Sequence, residues 1–186
     1  MLLTSAPVRR VSVVGTSGAG KSTLSRALAG ALDADFFELD SVFHQPDWVP
    51  LPREEFRERV AAAVAGERWV IDGNYTSQVK DLVWARADTV VWLDLPRRTV
   101  MRRIIWRSFR RAAARTELWN GNRERWRNFF SLDKEESVIA WAWQTHAATR
   151  AKLEAAMADR GNGHLRFVRL RSPGAVRRFL SGVDQL

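Results

Sequence analysis

Gly15-Thr16-Ser17-Gly18-Ala19-Gly20-Lys21-Ser22 is the stretch on which the reading of this chain turns. It matches the pattern G-x-x-x-x-G-K-[ST] in full. Just before it, Val8-Arg9-Arg10-Val11-Ser12-Val13-Val14 is a short β-branched run suited to a buried strand. Just after it, Leu24, Ala27 and Leu28 share one face of a predicted helix that begins at Lys21. Strand, glycine loop and helix in that order predict a loop that cradles phosphates.

The residue types follow from the chemistry of a polyphosphate, which packs several negative charges into a small volume. Gly15, Gly18 and Gly20 let the backbone turn successive N–H groups inward with no side chain in the way. The start of the helix adds unpaired N–H groups and the positive end of its dipole. The predicted nucleotide contact runs through Gly15, Thr16, Ser17, Gly18, Ala19, Gly20, Lys21, Ser22 and Thr23. Lys21 reaches the outer phosphates as a mobile charge, and the Ser22 hydroxyl is the expected Mg²⁺ ligand.

Outward from the loop, Asp35 to Asp40 reads as a second strand ending in a carboxylate. Residues 41–50 are irregular and broken by prolines. Pro52 to Ala65 is an amphipathic helix with Phe56, Val60 and Val64 on one face. Arg68 to Tyr75 is a third strand running into a turn, and Asp88 to Pro96 a fourth. A long basic helix spans Arg97 to about Arg115, and a second long helix about Leu132 to Arg160. His164 to Arg171 alternates as a fifth strand exposed on one side, and Ala175 to Leu180 closes as a helix. Strands alternating with helices predict an α/β fold: three α/β/α layers round a five-stranded parallel sheet. Two insertions interrupt it, about 41–66 and an arginine-rich lid at about 108–131.

The length of 186 residues suits one domain, 1–186. With no cysteine, disulfides, thiol catalysis and cysteine-bound zinc are excluded, which fits a cytoplasmic setting. The first residues lack the pattern of a signal peptide, and no apolar run has the length of a membrane span. The net charge of +9 is concentrated. Arg97 to Arg127 holds eleven arginines against Glu117 and Glu124, so this segment alone accounts for it. Such an excess asks for a local anion, either bound phosphates or a nucleic acid backbone.

Phosphate loops serve GTPases, motor ATPases and small-molecule kinases. The chain is too short for a motor and lacks the N-K-x-D guanine-reading motif. Carboxylates end strands two, three and four, at the sheet edge where ligands bind. A basic flap excludes water and stabilises a transferring phosphoryl group. These features favour a kinase using ATP and Mg²⁺ on a small-molecule acceptor.

The order GTSGAGKS, FELD, WVIDGNY and VVWLDLP, then a basic helix and flap, resembles the adenylate kinase-like small-molecule kinases. Shikimate and gluconate kinases are similar in outline. Leu39-Asp40, His44 to Trp48, Trp69 to Tyr75 and Trp92 to Pro96 look closest to a bacterial subgroup. Its members are labelled DNA topology modulation proteins or adenylate kinase-related proteins. The resemblance implies that the third strand lies beside the first, so Asp72 faces the Mg²⁺ water shell, with a turn cap as its other reading. It implies that Asp40 orients the acceptor or takes its proton, as against a helix or turn cap. Arg103 and Arg107, four apart on one helix face, match arginines that related kinases set against phosphates.

His44 either contacts the acceptor or packs against Trp48. Gly73, Asn74 and Tyr75 either read a polar acceptor or form a turn. Adenylate kinases carry D-G-F-P-R at the third strand, and its nucleotide-holding arginine has no counterpart in Asp72-Gly73-Asn74-Tyr75-Thr76. An acceptor phosphate would fall to Arg53, Arg57 or a flap arginine. Trp69, Trp84 and Trp92 read as core, while Trp106, Trp119 and Trp126 amid arginines suit stacking on bases. The alternative function is an ATP-regulated nucleic-acid binder gripping backbone with the 97–127 arginines.

Overall fold

The computed structural model describes residues 8–75, 77–114, 117–122 and 137–183. Its strands are β1 (Arg10–Gly15), β2 (Asp35–Glu38), β3 (Trp69–Asp72), β4 (Thr89–Leu93) and β5 (Arg166–Leu170). They form one five-stranded sheet in the order β2-β3-β1-β4-β5, every pairing parallel. The predicted fold class is therefore the observed one. Parallel neighbours need long crossovers, and helices supply them. These are α1 (Lys21–Leu32), α2 (Leu39–Phe43), α3 (Arg53–Ala63), α4 (Lys80–Arg86), α5 (Arg97–Ala113), α6 (Val138–Ala158) and α7 (Pro173–Ser181).

The sheet buries both faces. Trp69 and Ile71 of β3 pack with Phe56, Val60, Trp84, Trp92 and Leu153. Val70, between them, points the other way to join Val13, Leu24, Leu28, Val91 and Val100. This is the two-residue period of a strand covered on both sides. Full burial of side chains of this size contributes about 1.5–3 kcal/mol each. The core predicted at Trp69, Trp84 and Trp92 is present, all three being buried.

Some boundaries differ from the sequence reading. The second strand stops at Glu38, not Asp40. Ser41 Oγ donates to the Glu38 carbonyl at 2.7 Å, and the chain turns at once into α2. Asp40 therefore sits in the first turn of a short helix, and Glu38 is the strand-terminal carboxylate. Helix α4 has no counterpart in the sequence reading. Its seven residues give two turns, too few for a periodic signal, and only Val83 and Trp84 are buried. The second long helix is described from Val138, after Ser137 Oγ accepts from the Ala140 N–H at 3.4 Å. Arg115, Arg123, Arg125, Trp126 and Arg127 lie outside the described residues, as does much of the expected lid at 108–131.

Candidate functional site

The loop after β1 lies at the carboxyl edge of the central strand, where β3 and β4 flank it. α1 begins at Lys21 behind Gly20, which adopts φ 98° and supplies no side-chain cap. The first N–H groups of α1 are thus left for a ligand, the arrangement that binds anions. Gly18 has φ 83°, and a Cβ there would lie 2.9 Å from Ile104 Cβ. Only glycine lets α5 pack so closely on the loop. One consequence is that Arg103 Nη1 donates to the Ala19 carbonyl at 2.9 Å. Arg107 and Arg111, one and two turns further along α5, line the same cleft.

Ser17, Gly18, Ala19, Gly20, Lys21, Ser22 and Thr23 face that cleft, together with Asp40, His44, Gly73, Asn74 and Tyr75. Gly15, Thr16 and Asp72 are buried just behind its surface. The fold thus brings the predicted site residues to one place from four separate stretches of chain.

Glu38 and Asp72 meet Ser22, and Asp40 lies close enough to Asp72 to act on its charge. Ser22 Oγ donates to Glu38 Oε1 at 2.9 Å, and Arg26 Nη2 donates to Glu38 Oε2 at 3.0 Å. Asp72 is 3% exposed, and its Oδ1 has no hydrogen-bond partner. Burial pushes its carboxyl above the usual range. Lys21 and Ser22 draw it back, while Asp40 and Glu38 push it further up. A buried carboxylate with an orphaned oxygen beside two more acids suits a hard cation. Among the described residues no group of three His, Asp or Glu side chains forms a metal cage by itself.

The other end of the cleft is made by side chains. Tyr75 Oη donates to Asp40 Oδ1 at 2.7 Å and lies 3.5 Å from His44 Nε2. Burial and the Asp40 charge push the Tyr75 phenol well above its ordinary range, so it stays a donor. Burial lowers the His44 pKa more than Asp40 raises it, which favours neutral imidazole. Gly73 has φ 146°, and a Cβ there would meet Leu39 Cβ at 2.8 Å, so it serves the turn. Asn74 holds the phosphate loop itself. Its Oδ1 accepts from the Gly15 N–H at 2.9 Å, and its Nδ2 donates to the Gly15 carbonyl at 2.7 Å.

Residues 119–122 complete this end, and sequence reasoning did not place them there. Asn120 Nδ2 donates to the His44 carbonyl at 2.6 Å, and Asn122 Nδ2 to the Gln45 carbonyl at 2.9 Å. Asn122 Oδ1 accepts from the Trp48 N–H at 2.9 Å. Trp119 Nε1 donates to Glu38 Oε2 at 3.2 Å. Glu38 was also missed, although its position two residues before Asp40 was a usable signal. The two asparagines gave none, because their partners lie more than 70 residues away.

Asp94, the carboxylate that follows β4, has a different environment from Asp72. Arg169 Nη2 reaches its Oδ2 at 2.7 Å while the guanidinium lies 4.1 Å from the Trp92 ring centre. Arg57 is likewise engaged, forming a two-pronged pair with Asp81.

No protein-family model matches the chain, and no curated protein matches it by sequence. Solved structures do match by shape. A gluconokinase from Sinorhizobium meliloti 1021 superposes with TM-score 0.54 at 19% identity, over 97% of this chain and 94% of that one. A shikimate kinase from Acinetobacter baumannii, solved with shikimate, gives TM-score 0.52 at 18% identity over 96% and 92%. A sugar kinase from Janibacter sp. HTCC2649 gives TM-score 0.52 at 22% identity over 96% and 95%. The five-stranded parallel sheet, its phosphate loop and these likenesses together establish that the chain has the fold of the P-loop small-molecule kinases.

Proposed function

We propose that this protein is a phosphotransferase that moves the γ-phosphoryl group of Mg-ATP to a small-molecule acceptor, a nucleoside monophosphate or a small hydroxyl compound. One observation carries the reading: Lys21 and Ser22 face the same cleft as Asp40, with Arg103 and Arg107 turned toward it from α5.

The chemistry follows from the placing of these groups. Loop N–H groups and Lys21 hold the donor phosphates. When bound, Mg²⁺ neutralises the outer phosphate oxygens, and Ser22, Glu38 and Asp72 are the residues that would hold it. Tyr75 occupies Asp40 Oδ1, which leaves the second oxygen to orient the acceptor and take its proton. The acceptor oxygen forms the new bond to phosphorus as the bond to the bridging oxygen breaks, and ADP leaves. Lys21, Arg103 and Arg107 balance charge on the transferring group.

The Ile71-Asp72-Gly73-Asn74-Tyr75 segment keeps the bacterial adenylate kinase-related subgroup as the finer assignment. Under this reading residues 1–186 act as one domain, with 41–66 supplying much of the acceptor side, in the cytoplasm where ATP is available. Among the described residues no helix is long and apolar enough to cross a membrane. Arg103, Arg107 and Arg111 line the cleft, which supports the kinase reading, while Arg98, Arg102 and Arg110 on the same helix are exposed and keep the nucleic-acid reading as the alternative.

The test is ADP release from Mg-ATP with a panel of acceptors, and Lys21→Ala as the blank. Acceptor-dependent release that the substitution removes supports the reading. Slow release indifferent to every acceptor and altered only by DNA or RNA would transfer support to the nucleic-acid binder.

A further inference from the structure

The acceptor end of the cleft has a charge and a surface that restrict what enters it. Three stretches build it: 38–48, 72–75 and 119–122. Together they hold four carboxylates, Glu38, Asp40, Asp47 and Asp72, and no arginine or lysine. On α3, Arg57 is held by Asp81 and the Gln78 carbonyl, and Arg53 is exposed at the start of the helix. Lys80 lies with its ammonium 4.5 Å from the Trp84 ring centre. Arg26 holds Glu38 and Lys21 lies beside Asp72, whereas Asp40 and Asp47 have no ion pair among the described residues. A phosphate or carboxylate set beside Asp40 or Asp47 would therefore meet a like charge, which disfavours it at close range.

The wall of the same pocket is aromatic. His44 and Trp119 lie nearly parallel, 21° apart with centres 6.1 Å apart. Trp48 stands edge-on to both, at 5.3 Å from His44 and 6.5 Å from Trp119. This wall exists only across the junction of two distant segments. Asn122 fixes the Trp48 backbone, and Asn120 fixes the His44 carbonyl. Trp48 holds its place at φ 61°, a backbone region that a bulky residue rarely adopts. The polar features beside the wall are the Asp40–Tyr75 pair and His44, whose Nδ1 is buried with no hydrogen-bond partner. Apolar ring faces with a few fixed polar groups are the usual make-up of a small-molecule pocket. A ring bearing hydroxyls satisfies both parts: its C–H or π face lies on the indoles, and its hydroxyls meet His44 and Asp40.

We infer that the acceptor is a ring-bearing alcohol without a phosphate or carboxylate group, seated on the wall of His44, Trp48 and Trp119. The inference rests on the phosphotransferase reading and narrows it. Two sources share this chemistry, nucleosides and cyclic sugars or polyols, and the compounds tested separate them.

The experiment measures ADP release from Mg-ATP with matched compounds: a nucleoside against its 5′-monophosphate, glucose against glucuronate and glucosamine, and inositol against quinate. The expected result is a kcat/KM at least about tenfold higher for the non-anionic member of whichever set is used, a difference near 1.4 kcal/mol. Equal or better use of the anionic member overturns the inference and leaves the phosphotransferase standing. Release that no compound stimulates, from protein that still binds ATP, overturns both. Trp48→Ala supplies the second readout. It should raise KM for the best acceptor about tenfold with the Kd for ATP unchanged. An unaltered acceptor KM rejects the aromatic wall as the binding surface.

Discussion

The two ends of the cleft are built by opposite means. The end we propose for the phosphates is one continuous loop that offers backbone N–H donors, a lysine and a helix terminus. The end proposed for the acceptor is assembled from stretches up to 76 residues apart, and side chains do the joining: Tyr75 to Asp40, Asn120 to His44, Asn122 to Trp48. A generic ligand shared by many proteins suits a local motif that any chain can carry. A particular acceptor needs a surface of its own, and the surface proposed for it is set by non-local contacts. The two ends meet at Glu38, whose carboxylate accepts from Ser22 on one side and from Trp119 on the other. The strand-end aspartates show the same contrast in miniature. Asp72, near Lys21 and Ser22, keeps an orphaned oxygen, whereas Asp94 is satisfied by Arg169. An aspartate's role is set by what faces it.

This division can be broken by substitution. The largest effect is expected from Lys21→Ala, which removes the mobile charge of the phosphate end. ADP release should fall by about 10²–10³-fold, as when one preorganised charge-stabilising group is lost, with the circular dichroism spectrum unaltered. Asn74→Ala comes next and tests whether β3 truly props the loop. It leaves both polar groups of buried Gly15 without their partner, at a cost of about 1–3 kcal/mol in urea unfolding. ATP affinity should drop with stability. An effect on acceptor KM alone would place Asn74 at the other end.

A smaller and more selective effect is expected from Asn122→Ala, which frees the Gln45 carbonyl and the Trp48 N–H together. Acceptor KM should rise about fivefold while ATP binding stays within error, a loss of ground-state binding confined to one end. If ATP affinity falls equally, the two ends are not separable.

The smallest effect concerns Asp81, which pairs with Arg57. Arg57 draws the Asp81 carboxyl from 3.8 down to about 2. A depressed carboxylate adds stability above its unfolded pKa, and that contribution is lost as pH falls through the folded one. Asp81 is exposed, so the contribution is modest. Thermal melts of wild type and Asp81→Asn should differ slightly at neutral pH and converge between pH 3.8 and about 2. A gap that persists below this range would show that the pair does not account for the difference.

What was legible in the chain tracks sequence distance. The phosphate loop, the helix that follows it, the alternating strands and the buried tryptophans all lie within single runs, so spacing alone reveals them. Short elements escaped. Helix α4 has two turns, and the end of β2 slipped by two residues because Ser41 turns the backbone at Glu38. Trp119 reads as a base-stacking residue beside arginines, yet in the fold it faces His44 and Glu38.

The amino-acid sequence by itself determined the sheet-forming pattern and the glycine loop before α1, because both depend on local backbone preference and on apolar periodicity. Only the tertiary structure decided which carboxylate is left unsatisfied, which arginines turn inward and which rings line the acceptor end. Those outcomes depend on partners brought together by the crossovers of a parallel sheet, and no spacing along the chain encodes the distance between them.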